Sequence, residues 1–391
     1  MIEGENFLVL GEDWGYYPST TEHLLRRLIG GNRFLWVDAI GCRAPQLNLY
    51  TIRRAWGKLA RPASQTARRS PEDSVVVYSP PVVPLGPFPP VRGWNRLAMS
   101  LGIVRRLKHM RMDRPILLAT NPIAAEILDN ISAKLIIYYI LDNYEEMPHH
   151  YRAYTRQLEA RIIDRADLIF ATAQPLVERK SRPGRPVILL PQGVDFEHFH
   201  SPVARRTMVP DDLASIPAPR ILFMGLLAPW VDVELLAAVA RAYPDASLVL
   251  LGPVRTEVQA LRQEPNTYFL GQQPYADIPR YLAHCDVALI PFRQNSLTQF
   301  VNPLKLLEYM AAGLPVISTP LPHLTTFDDL VHCARTSDEF VEQVGRALRN
   351  FSPEARARCI AVAQENSWDR RAEQFSHYVQ NTMRTRASQL V

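Results

Sequence analysis

A lysine and a glutamate lie three residues apart in the segment "NPLKLLEYMAAGLPVIST" (302–319), whose other side chains are almost all apolar. Asn302 is a favourable N-cap, Pro303 suits the first helical position, and Gly313 suits the turn that ends a helix. The pattern therefore predicts a helix that begins at Pro303, with the strand "PVIST" after it.

Lys305 would lie in the first turn of this helix, where backbone N–H groups and the helix dipole already attract an anion. A lysine ammonium group at that place favours a phosphate-binding site. Glu308 lies on nearly the same face of the helix, where its carboxylate can accept two hydrogen bonds from a ribose diol. The pair is typical of a nucleotide site; the alternative is a Lys/Glu pair on an ordinary helix surface.

A third candidate for chemistry, Asp142, directly follows the apolar run "KLIIYYIL" (134–141). If that run is a strand, Asp142 lies at its carboxyl end, where the ligand clefts of open α/β sheets form. A carboxylate placed there can take the proton from an attacking hydroxyl group. The alternative is a loop in which Asp142 caps the next helix, with Glu145, Glu146 and His149 as nearby substitutes for the base.

The elements that must position these residues alternate along the chain as short apolar runs and amphipathic stretches. The predicted strands of the first half are "NFLVL", "FLWV", "VVVY", "ILLAT", "KLIIYYI", "LIFATA" and "VILLP", and those of the second half are "RILFMG", "ASLVLLG", "TYFLG", "VALIPF" and "PVIST". The predicted helices include "IAAEILDN", "RAYTRQLEARIIDRA", "VDVELLAAVARAY" and "LKLLEYMAAG". This alternation indicates an α/β protein with parallel sheets covered on both faces, and 391 residues fit two Rossmann-like domains.

The pattern is interrupted by the polar, proline-containing segment "PQGVDFEHFHSPVARRTMVPDDLASIPAPR" (191–220). We therefore predict one domain at 1–205 and a second that begins at 206. A further segment, "PPVVPLGPFPP" (80–90), has six prolines in eleven residues and is predicted to be a stiff loop, with contact to a partner as the alternative.

Positive charge is concentrated in one part of the chain. Residues 26–114 contain 17 Lys and Arg against 4 Asp and Glu, whereas the rest of the chain contains 27 basic and 35 acidic residues. A basic face of this kind usually meets nucleic acid, a phospholipid surface or a phosphorylated substrate. The longest apolar run is too short to span a membrane and the N-terminus has no secretion signal, so we expect a cytoplasmic protein.

Taken together, these segments resemble the glycosyltransferases of GT-B fold, in which two Rossmann-like domains face each other across a cleft. The segment 302–319 is similar to their nucleotide-sugar signature, "PQGVDFEHF" to their interdomain crossing, and "GLLAPWVDVELLAAVARAYPDASLVLLGP" to the start of their donor-binding domain. "SWDRRAEQF" resembles the C-terminal helix that runs back to the first domain. The resemblance implies an N-terminal acceptor-binding domain (1–205), a nucleotide-sugar-binding domain (206–366) and a returning helix (367–391).

Within this family the chain is most similar to transferases that build bacterial exopolysaccharide or teichuronic-type polymers, including the glucuronosyltransferase of xanthan assembly. Many retaining members carry Glu-x7-Glu, but the residue eight positions before Glu308 is Phe300. Their Arg/Lys pair after the first strand of the second domain is also missing, because "GLLAPW" contains neither residue. Arg293 in "PFRQNS" is a candidate for the second positive charge, with a surface arginine as the alternative.

The resemblance implies the residues of both substrate sites. The loop "GQQPYADI" passes near the nucleobase in the family, although it can equally be a plain connection. The implied donor-site residues are Lys305, Glu308, Arg293, Asn302, Pro303, Leu304, Gln273, Tyr275 and Gly225. The loop after the first strand borders the acceptor cleft, which implies acceptor contacts from Asp13, Trp14 and His23. In the xanthan-type enzyme the aspartate at the place of Asp142 is the catalytic base, which implies inversion at the anomeric carbon.

No cofactor and no metal are expected, because the nucleotide sugar is a co-substrate. The four cysteines lie far apart, which argues against a zinc site, and no D-x-D motif occurs. The diphosphate charge must then be met by protein cations and the helix dipole. The G-x-G-x-x-G and G-x-x-x-x-G-K-[ST] motifs are absent as well, so a dinucleotide dehydrogenase and a P-loop enzyme are disfavoured.

Two basic amphipathic segments, "LYTIRRAWGKLAR" (49–61) and "WNRLAMSLGIVRRLKHMRM" (94–112), are typical of helices that bind anionic membrane surfaces. The alternative is that both pack inward with a solvated basic rim. The predicted protein is a hexosyl- or glucuronosyltransferase at the inner face of the cell membrane. It would move a sugar from a UDP-linked donor to a lipid-diphosphate-linked saccharide without binding nucleic acid. The alternatives are a nucleotide-sugar epimerase on the same fold and a basic nucleic-acid-binding protein.

Overall fold

The computed structural model describes residues 1–15, 18–38, 67–69, 74–83, 88–147, 151–205, 207–327 and 329–389. Contacts between residues divide the chain into two compact units, one formed by 1–191 with 371–391 and the other by 192–370. The domain boundaries that the sequence predicts, after residues 205 and 366, stay predictions about where each domain begins and ends. The alternation of strands and helices in both units confirms an α/β protein.

The first unit is built on an eight-stranded sheet in the order β3-β4-β2-β1-β5-β6-β7-β8. Only β3 is antiparallel to its neighbour among the described strands of this unit. The strands are β1 (Asn6–Gly11), β2 (Arg33–Asp38), β3 (Ala67–Arg69), β4 (Val75–Tyr78), β5 (Ile116–Ala119), β6 (Leu135–Ile140), β7 (Leu168–Ala171) and β8 (Ile188–Leu189). The central strands β1, β5 and β6 are apolar apart from Asn6 at the start of β1, because helices cover both faces.

Four helices belong wholly to this unit, among the described residues. They are α1 (Thr20–Arg26), α2 (Pro89–His109), α3 (Arg152–Arg165) and α4 (Gln174–Lys180). Ser19 is the N-cap of α1, and its hydroxyl accepts a hydrogen bond from the Glu22 N–H group. The α2 helix packs closely on β4, because Arg106 lies 3.6 Å from the ring centroid of Tyr78 and Gly102 leaves room for the Tyr78 hydroxyl group.

The second unit has a six-stranded sheet in the order β11-β10-β9-β12-β13-β14, and all its strand pairs are parallel. The strands are β9 (Arg220–Met224), β10 (Ser247–Leu251), β11 (Thr267–Gly271), β12 (Val287–Ile290), β13 (Val316–Ser318) and β14 (Val331–Cys333). The helices are α5 (Phe196–Ala204), α6 (Asp211–Ala214), α7 (Val233–Ala242), α8 (Gln259–Arg262), α9 (Ile278–Leu282), α10 (Leu304–Ala311), α11 (Ser337–Asn350) and α12 (Pro353–Glu365).

The last helix, α13 (Trp368–Gln389), starts in the second unit and continues into the first from Arg371. In the first unit its Phe375 ring lies 5.6 Å from that of Phe170 on β7, and Arg386 forms an ion pair with Asp167. A C-terminal helix therefore packs on the first unit, while the predicted returning segment 367–391 stays a prediction.

Two local predictions are wrong. The segment "IAAEILDN" is not an α-helix but two short 3-10 turns, Pro122–Glu126 and Leu128–Asn130. Residues 122–128 are buried on every side, so their apolar character reflects burial and not one face of a helix. The helix of the opening segment begins at Leu304, because Pro303 keeps an extended ψ of 110° and takes the cap position that Asn302 was predicted to hold. The basic segment 49–61 lies outside the described residues.

Candidate functional site

The N-terminus of α10 places Lys305 against two aromatic rings of the second unit. The Lys305 Nζ atom lies 4.7 Å from the ring centroid of Phe223 on β9 and 4.9 Å from that of Phe292, which follows β12. Cation–π attraction of this kind holds an ammonium group without neutralising it. Within the described part of the chain, no carboxylate forms an ion pair with Lys305. The charge is therefore held in place and stays available to an anion.

Gly225 allows this arrangement. A Cβ atom at Gly225 would lie 2.6 Å from the Lys305 Nζ atom, and its φ of +129° is one that other residues rarely adopt. The helix is also tied to the same strand end, because the Met224 N–H group donates a 2.9 Å hydrogen bond to the Tyr309 hydroxyl group. The glycine at the end of β9 and the lysine at the start of α10 thus form one site.

Burial changes the titration of both charged residues on α10. Burial lowers the pKa of Lys305 to about 8, although the nearby Glu308 carboxylate acts in the opposite direction. Burial also raises the pKa of Glu308 to about 7, against the opposing charge of Lys305. Both side chains are half-buried, and the Glu308 carboxylate accepts no hydrogen bond from the described residues. Lys305 is also the only lysine between residues 206 and 370.

The other predicted donor-site residues are distributed around the second sheet. Arg293 is exposed, and its backbone is fixed by a 2.8 Å bond from its N–H group to the Trp230 carbonyl. Gln273 donates to the Leu270 carbonyl at 2.9 Å, and Tyr275 stacks on His198 of α5 with ring centroids 4.7 Å apart. No described contact joins Arg293, Gln273 or Tyr275 to Lys305.

The residues that lead into α10 are less accessible than the helix itself. Asn302 and Pro303 are buried, and Leu304 is half-buried. Phe300, which stands where many family members have their first acid, is only 6% exposed and belongs to the core. An apolar residue therefore fills that position, and Glu308 is left as the acid of the motif.

In the first unit, Asp142 follows β6 in a tight loop (141–147). The Tyr144 N–H group donates to the Asp142 carbonyl at 3.1 Å, and the Asn143 N–H group donates to the Asp142 Oδ1 atom at 2.7 Å. Burial raises the pKa of Asp142 to about 6, although the Asn143 N–H group acts in the opposite direction. A carboxylate with a raised pKa at the carboxyl end of a strand is suited to accept a proton near neutral pH.

The substitutes for Asp142 are engaged elsewhere. The Glu145 carboxylate is 5% exposed and accepts hydrogen bonds from Arg156 at 2.8 Å and Arg179 at 2.7 Å. Burial raises the pKa of Glu145, but these hydrogen bonds outweigh burial and hold the pKa at about 2. Glu146 forms an ion pair with Arg152 at 2.6 Å. His149 lies outside the described residues.

The predicted acceptor residues belong to the loop after β1 and to α1. Trp14 is 5% exposed and packs edge-on against Trp36, while its N–H group donates to the Asp38 carboxylate at 3.1 Å. His23 is buried in α1, and Asp13 is half-buried. Of the three, Asp13 is the most accessible to a ligand, and all three stay predictions as acceptor contacts.

Sequence reasoning missed the residues that hold the candidate groups in place. Phe223 and Phe292 flank Lys305, yet they come from two strand ends far apart in the chain. The signal that could have identified them is their position in the sequence. Phe223 lies two residues before Gly225, and Phe292 directly follows the segment "VALIP". Asn143, whose N–H group binds the candidate base, acts through its backbone and therefore leaves no residue-type signal.

Comparison with known families matches residues 218–350 to the model described as glycosyl transferases group 1. Over 181 residues the chain is 31% identical to TuaH of Bacillus subtilis (strain 168), whose name describes a candidate teichuronic acid biosynthesis glycosyltransferase. That match covers 44% of this chain and 45% of TuaH, so the chain spans about half the length of the curated relative that it matches.

Solved structures match over nearly the whole chain. HepE of Anabaena, solved in complex with UDP, superposes with a TM-score of 0.67 at 15% identity and covers 97% of this chain and 100% of its own. A glycosyltransferase of Rickettsia africae superposes with a TM-score of 0.67 at 12% identity. The match covers 97% of this chain and 98% of that protein. A UDP-forming trehalose-phosphate synthase of Burkholderia vietnamiensis superposes with a TM-score of 0.65 at 12% identity. The match covers 98% of this chain and 100% of that protein. At these identities the likeness shows the fold alone.

These comparisons confirm the predicted resemblance and the predicted fold. Both units have the parallel sheets and helices of the GT-B architecture. The match to glycosyl transferases group 1 covers residues 218–350, which contain Gly225, Lys305 and Glu308, and it agrees with the predicted class of enzyme.

Proposed function

We propose that this protein is a glycosyltransferase of polysaccharide biosynthesis that moves a sugar from a UDP-linked donor to a lipid-diphosphate-linked saccharide. The observation that carries the proposal is the Lys305 ammonium group, held between two aromatic rings at a helix N-terminus with no ion-pair partner among the described residues. The negative charge of a diphosphate would compensate the positive charge of Lys305, and Glu308 would accept hydrogen bonds from the ribose diol.

The names of three similar proteins agree with the proposed donor and pathway. HepE was solved with UDP, the trehalose-phosphate synthase is described as UDP-forming, and TuaH is named for teichuronic acid biosynthesis. Metal-independent transfer is part of the proposal, because Lys305 and the helix dipole can stabilise a diphosphate leaving group. Activity in the presence of a chelator tests this part.

The proposed reaction inverts the anomeric carbon, with Asp142 as the base. Direct displacement needs a group that removes the proton of the acceptor hydroxyl as the new bond forms, because an alcohol is a poor nucleophile. Asp142 is supported by its place after β6 and by its raised pKa, and Glu145 is disfavoured by its ion pairs. NMR of the anomeric configuration of the product distinguishes inversion from retention.

The proposed acceptor lies at an anionic membrane surface, and α2 supports this. Trp94, Leu97 and Leu101 are 56%, 53% and 62% exposed, and their helical spacing places them on one face. Arg105 and Lys108 are exposed one and two turns further along the helix. Apolar side chains that enter the interface beside cations that meet headgroups are typical of peripheral membrane helices. None of the described helices is both long and apolar enough to span a bilayer.

The test of the donor site is calorimetry of UDP binding. Lys305→Met and Glu308→Gln should each weaken binding by about 1.5–3 kcal/mol, the range for hydrogen bonds to charged groups. The matched control is Arg346→Gln on α11, which removes an exposed cation whose ion pair is with Glu342 and should leave the affinity unchanged. Unchanged affinity in both site variants would refute the assignment. Release of a free UDP-linked epimer without an acceptor would favour the epimerase.

A further inference from the structure

The loop that carries Asp142 is tied to the next helix by two ion pairs. Glu146 binds Arg152 with 2.6 Å between Oε2 and Nη2, and Glu145 binds Arg156 with 2.8 Å between Oε2 and Nε. The two arginines are one helical turn apart at the start of α3, and the two glutamates are adjacent in the loop. The loop and the first turns of α3 are therefore held together at two points.

Each arginine uses only one end of its guanidinium group in these pairs. The Nη1 and Nη2 atoms of Arg156, and the Nε and Nη1 atoms of Arg152, make no hydrogen bond to any residue that the structure describes. Their side chains are 68% and 61% exposed. A guanidinium group has five N–H donors in a fixed planar arrangement, so each arginine has donors left for a ligand.

The buried carboxylate makes this arrangement rigid at one point. Glu145 is 5% exposed, and Lys180 also lies 3.5 Å from its Oε1 atom. Because the pKa of Glu145 is held at about 2, it stays ionised at every pH at which an enzyme of this kind would work. An arginine anchored through Nε to a fixed carboxylate loses less conformational freedom when its other donors bind an anion.

The free donors lie at the same edge of the sheet as Asp142. The β6 and β7 strands are parallel, so α3 must begin near the end of β6 in order to return the chain to the start of β7. Arg152 is the first residue of this helix. Asp142 and Glu145 are three positions apart, so they are separated by at most about 10 Å of extended chain, and the turn shortens this distance.

We propose that Arg152 and Arg156 form a binding site for a phosphate group of the acceptor, which orients the acceptor hydroxyl toward Asp142. This inference rests on the proposed function, since it assigns one feature of the substrate of that reaction. Guanidinium groups match the oxygens of phosphate with parallel hydrogen bonds, which fixes orientation as well as position. Arg179 and Lys180 are less suitable, because the buried carboxylates Glu145 and Glu159 hold them at 2.7 Å each.

Inorganic pyrophosphate is the probe for this site, and calorimetry measures its binding to the full chain with the donor site filled by saturating UDP. Arg156→Gln should weaken pyrophosphate binding at least about fivefold, because it removes a charged hydrogen-bond donor. Arg156→Lys should weaken it less, because it keeps the charge but loses the fork. Arg165→Gln is the matched control, since Arg165 lies on the same helix, is 50% exposed and pairs with Asp129.

The outcomes separate this inference from the proposed function. UDP affinity should be unchanged in Arg156→Gln, although loss of the bond to the buried Glu145 should lower the melting temperature. The same fall in pyrophosphate binding should appear in the Lys305→Met background without UDP. If the wild type does not bind UDP, the proposed function is wrong. If UDP binds and pyrophosphate binds equally to wild type, Arg156→Gln and Arg165→Gln, only this inference is overturned.

A bilayer is the other source of phosphate groups. Flotation with vesicles of phosphatidylcholine and phosphatidylglycerol distinguishes the two sources. Under the proposal, Arg156→Gln floats as the wild type does while its pyrophosphate binding falls. If Arg156→Gln no longer floats with the vesicles but binds pyrophosphate normally, the arginines contact lipid headgroups, and the acceptor assignment is overturned.

Discussion

The affinity for UDP should pass through a maximum between about pH 7 and pH 8, because the two charged residues of α10 titrate there. Lys305 must be protonated to bind a diphosphate, and burial lowers its pKa to about 8. Glu308 accepts hydrogen bonds best as a carboxylate, and burial raises its pKa to about 7. The affinity for UDP should therefore fall above about pH 8, where Lys305 loses its proton, and below about pH 7, where Glu308 becomes protonated.

The size of the alkaline fall follows from the contact itself. A hydrogen bond between an ammonium and a phosphate oxygen contributes about 1.5–3 kcal/mol, and one pKa unit equals about 1.36 kcal/mol. Bound UDP should therefore raise the pKa of Lys305 from about 8 to about 9–10. Between these values the protein takes up a proton on binding, and the affinity should fall about tenfold for each pH unit.

Calorimetry across this pH range, in two buffers of different ionisation enthalpy, measures both the affinity and the proton uptake. Lys305→Arg is the control, because arginine stays protonated throughout and should remove the alkaline fall. Any decrease of affinity at alkaline pH that remains in Lys305→Arg is caused by titration of the nucleotide itself. Glu308→Gln isolates the acid side in the same way, since the terminal phosphate of UDP also titrates near pH 6. Equal alkaline dependence in wild type and Lys305→Arg would refute the reasoning.

Three further predictions follow from the same geometry. Asp142→Asn should lower the rate of transfer at least about a hundredfold with UDP affinity unchanged, and normal turnover of the variant would contradict this. In the wild type, kcat/KM should decrease below about pH 6, where the Asp142 carboxylate is protonated. Gly225→Ala should weaken UDP binding at least about tenfold, because its Cβ atom would lie 2.6 Å from the Lys305 Nζ atom. The control is Gly345→Ala, whose Cβ atom would lie 2.2 Å from the Tyr243 hydroxyl group and which should lower only the melting temperature. Trp94→Ser combined with Leu97→Ser should reduce flotation with anionic vesicles without changing UDP affinity, and equal flotation would exclude this face of α2.

The sheets were predictable because their strands are continuous apolar runs bounded by turns. All twelve quoted strand segments coincide with strands of the structure. The two strands that were missed, β3 (Ala67–Arg69) and β14 (Val331–Cys333), are three residues long and lie at sheet edges. An edge strand of this length has too few apolar residues to produce a pattern, and its pairing depends on the neighbouring strand.

The predicted start of the α10 helix was wrong by one residue for a local reason. Pro303 has no N–H group, so it fits either the first helical position or the cap, and sequence alone does not distinguish the two. The structure places it at the cap, with ψ of 110°. The error leaves Lys305 in the first turn, so the argument for an anion site at that helix end is unaffected.

The candidate site was predictable only where its residues are close in sequence. The spacing of Lys305 and Glu308 on one helix sets their relation, and the pattern revealed it. The contact with Phe223 and Phe292 depends on how β9 and β12 pair in the sheet, which no local pattern determines. The same holds for the ion pair between Glu145 and Arg156, because it depends on where the loop after β6 meets α3.

The lowered pKa of Lys305 also makes it the most nucleophilic amine of the second unit. With a pKa of about 8, about a quarter of this side chain is the neutral amine at pH 7.5, whereas an ordinary lysine is almost entirely protonated there. No other lysine occurs between residues 206 and 370. A small acylating reagent should therefore modify the second unit at one position, and UDP should protect that position from reaction. The residue that makes an anion site would thus also provide a covalent handle for inhibitors of it.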